Sequence, residues 1–343
     1  MPHQITIKPG DHRFACEDGE TVLAAAMRAD LMIPYGCRTG ACGTCKSRIL
    51  GGSVDYGHYQ PGTLTDAEKQ QNLALLCVAV ALTDLSVEVR DVRRAGDIQI
   101  RKLPCRIERI DKPAPDVAIV SLKLPANERL KYFAGQFLDI LLKDGRRRSF
   151  SIATAPENDG LIELHVRHVP GGLFSDQLFN DFKGREILRF EGPFGAFYLR
   201  EESDKPIIFV AGGTGFAPIK AVIEHAFHLG TPRPIVLYWG VRSLADLYLP
   251  QLPGGWQQEH RDFTFVPVLS EPLPGDHWPG RTGFVHKAVM AAFADLSGYQ
   301  VYACGGPAMI EAARKEFVEH RGLPPEEFFA DSFTYAAQAE APA

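Results

Sequence analysis

The sequence has no hydrophobic run long enough to cross a membrane, and it does not begin with the basic-then-apolar order of a secretory signal. It has no surplus of positive charge either, because 37 lysines and arginines and 42 aspartates and glutamates give a formal net charge of −5. Domains that bind nucleic acid usually carry a basic excess. We therefore expect a cytoplasmic protein whose partners include neither nucleic acid nor a membrane.

Cysteine is not abundant, and its distribution is uneven. The 343 residues include seven cysteines, an odd number, and three of them fall within nine consecutive positions. A disulfide framework would spread them more evenly and would imply a secreted protein. A metal or cluster site in a reducing compartment agrees better with this pattern.

Three segments that differ in composition and in hydrophobic pattern predict three domains. Residues 1–92 combine strand-like alternation, an alanine-rich helical stretch and a glycine- and cysteine-rich loop, which indicates a compact α+β domain. Residues 100–201 consist of strand-like runs separated by proline and glycine, as is typical of an antiparallel β-barrel. Residues 205–335 alternate buried strands, such as 207–211, with helical periods. This alternation predicts an α/β domain whose parallel sheet binds ligands at the carboxyl ends of its strands.

The cysteine-rich loop has the spacing C-x4-C-x2-C, and a fourth cysteine follows 32 residues later, as in plant-type [2Fe–2S] proteins. Glycines in the loop permit it to wrap tightly, and small side chains leave backbone amides free to bond the sulfurs. The alternative is a structural zinc site, but such sites usually use paired C-x2-C knuckles, and only one occurs here. Cys16 and Cys105 lie outside the pattern. The predicted cluster ligands are Cys37, Cys42, Cys45 and Cys77.

Two further motifs follow. The first is Arg148-Ser149-Phe150-Ser151, in the strand-rich segment. The second is Gly212-Gly213-Thr214-Gly215-Phe216-Ala217-Pro218, which follows a predicted strand and opens a helix. A strand, a glycine turn and a helix N-terminus together form a pyrophosphate site, although this turn does not satisfy G-x-G-x-x-G.

These motifs and the cysteine loop, in this order, resemble the iron–sulfur flavoprotein reductases with an N-terminal ferredoxin-like domain. That family includes the reductase components of phenol hydroxylase, methane monooxygenase and benzoate dioxygenase, and CDP-6-deoxy-Δ3,4-glucoseen reductase. The resemblance covers essentially the whole chain. It implies an α+β ferredoxin-like (β-grasp) domain, an antiparallel β-barrel flavin domain and an α/β nucleotide domain of the ferredoxin–NADP reductase type.

The resemblance implies that the strand-rich segment binds FAD. Arg148 would neutralise the pyrophosphate, unless it is simply a surface residue of a basic run, and Phe150 would lie against the flavin. Phe150 replaces the tyrosine usual in the family, which removes one hydroxyl contact. A second flavin motif, around Gly172 and Ser175, would hold the pyrophosphate and favours FAD over FMN. The predicted flavin-binding residues are Arg148, Ser149, Phe150, Ser151, His165, Val166, Gly172, Leu173 and Ser175, with Phe333 covering the flavin face.

The resemblance also assigns residues to the nicotinamide end of the site. Cys304 would lie beside the reacting carbon of the nicotinamide, although a small buried residue at a strand end is the alternative reading. Asp331 stands where the family often carries a glutamate, and Ser151 would form a hydrogen bond near the flavin atom that accepts the hydride. The predicted catalytic residues are Ser151, Cys304 and Asp331. The predicted nucleotide-binding residues are Gly213, Thr214, Gly215, Arg242, Asp246, Glu271, Cys304, Gly305 and Pro307.

The choice of nucleotide depends on the end of a later strand of the parallel sheet. NADP-dependent relatives often carry Ser-Arg there, and this chain has Ser270-Glu271. A carboxylate would repel the 2′-phosphate of NADPH, and Asp246 would accept a ribose hydroxyl, so NADH is favoured. Arg242 would favour NADPH instead, because it could approach the 2′-phosphate.

The order of parts predicts electron flow from NADH through FAD and a [2Fe–2S] cluster to a separate acceptor protein. Three functions fit: the reductase of a multicomponent oxygenase, the reductase of a CDP-deoxysugar dehydrase, and a redox-sensing flavoprotein. The complete electron path argues against the third, and only the partner separates the first two. A monomer is expected, because a carrier must expose the edge of its cluster.

Overall fold

The computed structural model describes residues 2–94, 96, 98–158 and 160–333. The chain forms two compact units. The first contains the residues up to Gln99, Gly195–Phe197 and the segment that begins at Asp331, and the second contains Ile100–Phe194 and Tyr198–Ala330. The described residues include no helix that is long and apolar enough to span a membrane.

The first unit is built on a five-stranded mixed sheet. Its elements are β1 (His3–Lys8), β2 (His12–Cys16), α1 (Val22–Arg28), β3 (Leu31–Met32), β4 (Lys46–Gly51), β5 (Val54–Asp55), α2 (Asp66–Gln70), β6 (Leu73–Leu75), β7 (Val80–Ala81), β8 (Leu85–Glu88) and β9 (Arg93–Arg94). The sheet order is β2-β1-β8-β4-β6, with β1 parallel to β8 and the other pairs antiparallel. Alternate residues of the central pair are buried, because Ile5 lies opposite Leu85 and Ile7 opposite Val87.

The second unit begins with a six-stranded antiparallel sheet. Its elements are β10 (Arg101–Ala114), β11 (Val117–Lys123), β12 (Phe137–Leu141), β13 (Arg147–Ser151), β14 (Ile162–Arg167), α3 (Leu173–Asn180) and β15 (Ile187–Phe194). The order is β13-β12-β15-β10-β11-β14, and a bridge between Ile152 and Leu164 joins the two outer strands. This bridge closes the sheet into a barrel, and its interior is filled by a buried apolar cluster that includes Phe174 and Phe190.

The rest of the described chain is an α/β layer, which belongs to the second unit as far as Ala330. Its elements are β16 (Ile207–Gly212), α4 (Phe216–His228), β17 (Ile235–Val241), α5 (Gln251–Glu259), β18 (Phe263–Leu269), β19 (Arg281–Thr282), α6 (Val285–Ala292), β20 (Gln300–Gly305), α7 (Pro307–Arg321) and β21 (Phe328–Ser332). The order is β19-β18-β17-β16-β20-β21, and the pairs from β19 to β20 are parallel. The strand order reverses at β16, so the crevice at the carboxyl ends of β16 and β20 is the expected ligand site. The predicted fold class is confirmed in all three parts.

Candidate functional site

The cysteine-rich loop joins β3 to β4, and its backbone amides point at sulfur. The N–H groups of Thr39 and Ala41 donate to the Cys37 sulfur at 3.4 and 3.3 Å, and the N–H of Cys37 donates to the Cys42 sulfur at 3.4 Å. Cys37 and Cys42 are partly exposed, whereas Cys45 and Cys77 are buried. These amide–sulfur bonds are the kind that tune an iron–sulfur cluster.

The four thiols form one connected series, from Cys42 through Cys37 and Cys77 to Cys45. Hydrogen bonds from the Cys42 and Cys77 thiols lower the pKa of Cys37, and a hydrogen bond from Cys77 lowers the pKa of Cys45. Four neighbouring cysteines of this spacing suit a [2Fe–2S] cluster, which takes four thiolates.

Gly40 permits a close backbone approach within this loop. Its φ is +71°, and a Cβ at this position would lie 2.6 Å from the Cβ of Tyr59 and 2.9 Å from its Cα. The N–H of Gln60 donates to the Gly40 carbonyl at 3.2 Å. The cluster loop is therefore held against the segment around Tyr59, and only glycine fits at residue 40.

The predicted pyrophosphate ligand Arg148 lies on β13 and is half-buried. In the described part of the chain it forms no ion pair, and its guanidinium donates to the carbonyl of Arg147 at 2.7 Å. Arg147 pairs instead with Glu191 and lies 3.7 Å from the buried carboxylate of Asp139. Burial, and then the charge of Arg146, lower the pKa of Arg148. A half-buried guanidinium of this kind is suited to an anionic pyrophosphate.

The other residues of this motif lie along the same strand. The Ser149 hydroxyl donates to Asp139 at 2.7 Å, which fixes its direction. The Phe150 ring lies 5.1 Å from the ring of Phe174, at the margin of the barrel core, and Ser151 is 7% exposed. Ser149 is exposed on one face of the strand, and Arg148 and Phe150 are half-buried on the other.

The second flavin motif forms a tight turn at the start of α3. The N–H of Val169 donates to the Ser175 hydroxyl, and that hydroxyl donates to the Val169 carbonyl, both at 3.1 Å. The N–H of Gly172 also donates to the Val169 carbonyl, at 2.8 Å, and Leu173 begins the helix. These polar groups shape the turn, and their contact with a pyrophosphate stays a prediction.

His165 and Val166, predicted to bind flavin, have buried side chains. Val166 belongs to the barrel core. The ring nitrogens of His165 contact the Tyr248 hydroxyl at 2.8 Å and the Glu163 carboxylate at 3.0 Å. The protein itself therefore occupies both nitrogens, and flavin contact at this position would involve the backbone.

Sequence reasoning missed the residues around His165. The ammonium of Lys220 lies 3.3 Å from Glu163 and donates to the Ala153 carbonyl at 3.0 Å. Burial raises the pKa of Glu163, but the hydrogen bond from His165 and the charge of Lys220 outweigh it and leave that pKa at about 2. The sequence carried no signal for this network, because a tyrosine in a loop and a lysine on a helix are common.

The glycine turn lies where the sequence placed it, between β16 and α4. Gly213–Gly215 forms one turn of 3-10 helix that continues directly into α4, and Thr214 is buried. A Cβ on Gly215 would lie 2.1 Å from the carbonyl oxygen of Cys304. The turn therefore touches the backbone of β20, and residue 215 must be glycine.

Cys304 occupies the end of β20, opposite Ala211, and is completely buried. A Cβ on the next residue, Gly305, would lie 2.8 Å from the methyl carbon of Met309, and Pro307 begins α7. The predicted nicotinamide residues Cys304 and Gly305 therefore adjoin the glycine turn at one sheet edge. Their contact with the nucleotide stays a prediction.

The residues predicted to select the nucleotide follow β17 and β18. Arg242 and Glu271 are exposed, and the N–H of Glu271 donates to the Arg242 carbonyl at 2.8 Å. One oxygen of Asp246 accepts from the N–H and hydroxyl of Ser243, at 2.9 and 3.0 Å, and the other lies 4.0 Å from Arg242. Asp246 thus caps a turn, and Glu271 is the accessible carboxylate at this edge.

Asp331 and Phe333 belong to the first unit. Asp331 is 7% exposed, and a Cβ on Gly36 would lie 3.3 Å from its carboxylate and 3.3 Å from the Cys42 sulfur. Asp331 therefore lies beside the cluster loop, a position that the sequence did not indicate. Its predicted catalytic role, and the predicted role of the half-buried Phe333, stay predictions.

Three family descriptions match the chain in succession. Residues 5–82 match a 2Fe-2S iron-sulfur cluster binding domain, 104–198 an oxidoreductase FAD-binding domain and 209–315 an oxidoreductase NAD-binding domain. The chain therefore has sites for all three predicted cofactors.

The chain is similar to several relatives along nearly its whole length. The chain is 39% identical to a CDP-6-deoxy-L-threo-D-glycero-4-hexulose-3-dehydrase reductase of Yersinia pseudotuberculosis, over 97% of this chain and 99% of the relative. It is 36% identical to reductase component 2 of a terephthalate 1,2-dioxygenase from Comamonas, over 97% and 98%. The crystal structure of the Amycolatopsis cytochrome P450 reductase GcoB is similar, with a TM-score of 0.78 and 34% identity over 98% of this chain and 100% of that one.

Proposed function

Because the chain belongs to the family of iron–sulfur flavoprotein reductases, we propose that it oxidises NADH and delivers the electrons to the catalytic component of a multicomponent oxygenase. The observation that carries this proposal is the succession of a cysteine loop, a flavin-motif strand and a glycine turn in one chain, each with residues that fit its cofactor. The partly exposed Cys37 and Cys42 support contact with a separate acceptor and a monomeric carrier. The four thiols suit the cytoplasm, where thiols stay reduced.

Bound FAD would supply two-electron chemistry for a hydride, and a bound [2Fe–2S] cluster would supply one-electron chemistry toward the acceptor. The chain's own residues would bind the cofactors, orient them and shield them. Arg148 offers a charge to the pyrophosphate, and the backbone between Gly213 and Gly215 offers a second phosphate-binding turn. The loop amides of Thr39 and Ala41 stabilise thiolate charge on Cys37. No side chain is required as a general base or nucleophile.

A second candidate partner is a CDP-deoxysugar dehydrase. The relative from Yersinia pseudotuberculosis, a reductase of such a dehydrase, supports it with 39% identity along the whole chain. The two partners call for the same electron path, so the acceptor protein alone distinguishes them.

An anaerobic visible spectrum, recorded before and after addition of NADH or NADPH, tests the electron path. Purified acceptor proteins then test the identity of the partner. We expect flavin and iron–sulfur absorption that NADH bleaches faster than NADPH does. Subsequent oxidation by an oxygenase component, and not by a sugar dehydrase, supports the first candidate, and the reverse supports the second. A colourless protein that contains zinc would exclude both.

Glu271 is expected to set the preference for NADH. Replacing Glu271 by arginine removes a carboxylate from this edge and adds a cation, so the ratio of kcat/KM for NADH over NADPH should fall by about tenfold or more, since near-surface charges interact by a few kcal/mol. Steady-state rates with an artificial acceptor measure this ratio. Glu319→Arg, the same change at an exposed site on α7, is the control and should leave the ratio unchanged.

Arg148 is expected to hold FAD. Arg148→Ala should weaken FAD binding by about 10–100-fold, because a hydrogen bond to a charged group contributes about 1.5–3 kcal/mol. Titration of the flavin-free protein with FAD, followed by flavin fluorescence, measures the affinity. Arg146→Ala in the same basic run, which loses only an exposed pair with Asp144, should bind FAD as the wild type does. Equal affinities for both variants would contradict the assignment.

A further inference from the structure

His165 connects the barrel to the α/β layer within the second unit. It lies on β14, and its side chain is completely buried. The Glu163 carboxylate can only accept a hydrogen bond, so Nε2 carries the proton and Nδ1 accepts from the Tyr248 hydroxyl. Burial lowers the pKa of His165, which favours this neutral form. The ring is therefore fixed in one tautomer and one orientation.

Tyr248 extends this connection to the glycine turn. Its ring packs edge-on against Trp239, with centroids 5.1 Å apart, and Trp239 stacks on Phe216 at 4.0 Å. The indole N–H of Trp239 donates to the carbonyl of Gly213 at 2.9 Å. Thus three contacts, through the side chains of Tyr248 and Trp239, lead from His165 to Gly213.

A second connection runs parallel to the first. Glu163, on the same strand as His165, pairs with Lys220 of α4, the helix that begins at the turn. Lys220 also donates to the carbonyl of Ala153, two residues beyond Ser151 at the end of the flavin-motif strand. The helix after the glycine turn is therefore tied to the barrel at the end of that strand.

The barrel also meets the turn directly. Arg167 lies two residues beyond His165 and pairs with Asp116 at 2.9 Å. Its guanidinium lies 3.2 Å from the place where a Cβ on Gly213 would stand. Arg167 of β14 therefore lies against the turn.

We infer that His165 and Tyr248 are positioning residues, which hold the glycine turn against β14 so that a nicotinamide lies at reaction distance from a flavin in the barrel. The inference rests on the proposed function. Hydride transfer needs its reacting atoms about 3–3.5 Å apart, and a displacement of about 1 Å can cost roughly 100-fold in rate. Neither side chain needs to touch the cofactors for this role.

Tyr248→Phe tests the inference, because it removes the hydroxyl and keeps the ring that packs on Trp239. We expect the limiting rate of flavin reduction by NADH, measured by anaerobic rapid mixing, to fall about tenfold. This loss is smaller than the roughly 100-fold loss expected for a displacement of about 1 Å, because the ring of residue 248 stays in place. The dissociation constant of NADH should change much less, and the deuterium isotope effect with C4-labelled NADH should rise. Tyr238→Phe is the control, since Tyr238 is a buried tyrosine on β17 that packs in the core with Val285 and Phe293.

A second measurement does not depend on turnover. In the FAD-loaded protein without NADH, the amides of residues 212–217 should exchange with deuterium faster in Tyr248→Phe than in the wild type or in Tyr238→Phe. Unchanged rate and exchange in Tyr248→Phe would overturn the inference, as would equal losses in both variants. A wild-type protein whose flavin NADH does not reduce would instead overturn the proposed function.

Discussion

Cys45→Ala is expected to abolish electron delivery to the acceptor protein while the flavin is still reduced by NADH. Cys45 is 2% exposed, precedes β4, and accepts a hydrogen bond from Leu76 at its carbonyl, at 3.2 Å. Removing one thiolate leaves three ligands for two irons. Because changes to outer-shell partners alone cost about 10–100-fold, loss of a ligand should reduce acceptor turnover by more than about 100-fold.

The measurements for Cys45→Ala are iron and sulfide content, the visible spectrum and two rates. Acceptor-protein reduction should disappear with the iron, whereas reduction of a dye that takes electrons from the flavin should remain near the wild-type rate. Cys16→Ala is the matched control, because Cys16 is also buried in the first unit but lies outside the ligand set. Two irons per chain and a full acceptor rate in Cys45→Ala would contradict the ligand assignment.

Gly215→Ala is expected to reduce the rate of flavin reduction by NADH about 100-fold, because a displacement of about 1 Å in the site has that effect. The added methyl would stand 2.1 Å from the Cys304 carbonyl oxygen and 2.5 Å from its carbonyl carbon. Both atoms belong to the backbone of β20, so the turn must move. Overpacking of this kind also costs about 1–3 kcal/mol of stability.

Three measurements separate displacement from unfolding in Gly215→Ala. The FAD content and the melting temperature report whether the fold survives, and rapid mixing with NADH reports the rate. Gly254→Ala, on α5, is the control, since a Cβ there would meet no atom within 4 Å. A folded, FAD-loaded Gly215→Ala variant that NADH reduces at the wild-type rate would exclude the predicted role of the turn.

The features that local sequence spacing determines could be predicted well. The alanine-rich helix predicted before the cysteine loop is α1. Its N-cap is Thr21, whose hydroxyl accepts a hydrogen bond from the Ala24 N–H at 3.2 Å. The predicted strand 207–211 is β16, one residue longer, and the glycine turn follows it. Such features depend on residues close together in the chain, so the order of residues is sufficient to place them.

Side-chain direction could not be predicted, because it depends on residues distant in sequence. The Tyr248 hydroxyl, 83 positions later, contacts the His165 ring. Asp246 caps its own turn, and Asp331 lies near Gly36, almost three hundred positions away. The cofactor contacts predicted for these residues stay predictions. The predicted domain boundaries stay a prediction.

The four predicted cluster ligands differ in how accessible they are from solvent. Because Cys45 and Cys77 are buried while Cys37 and Cys42 are partly exposed, chelators and oxidants would reach Cys37 and Cys42 first. Damage to a bound cluster would therefore be expected to begin at these two thiols.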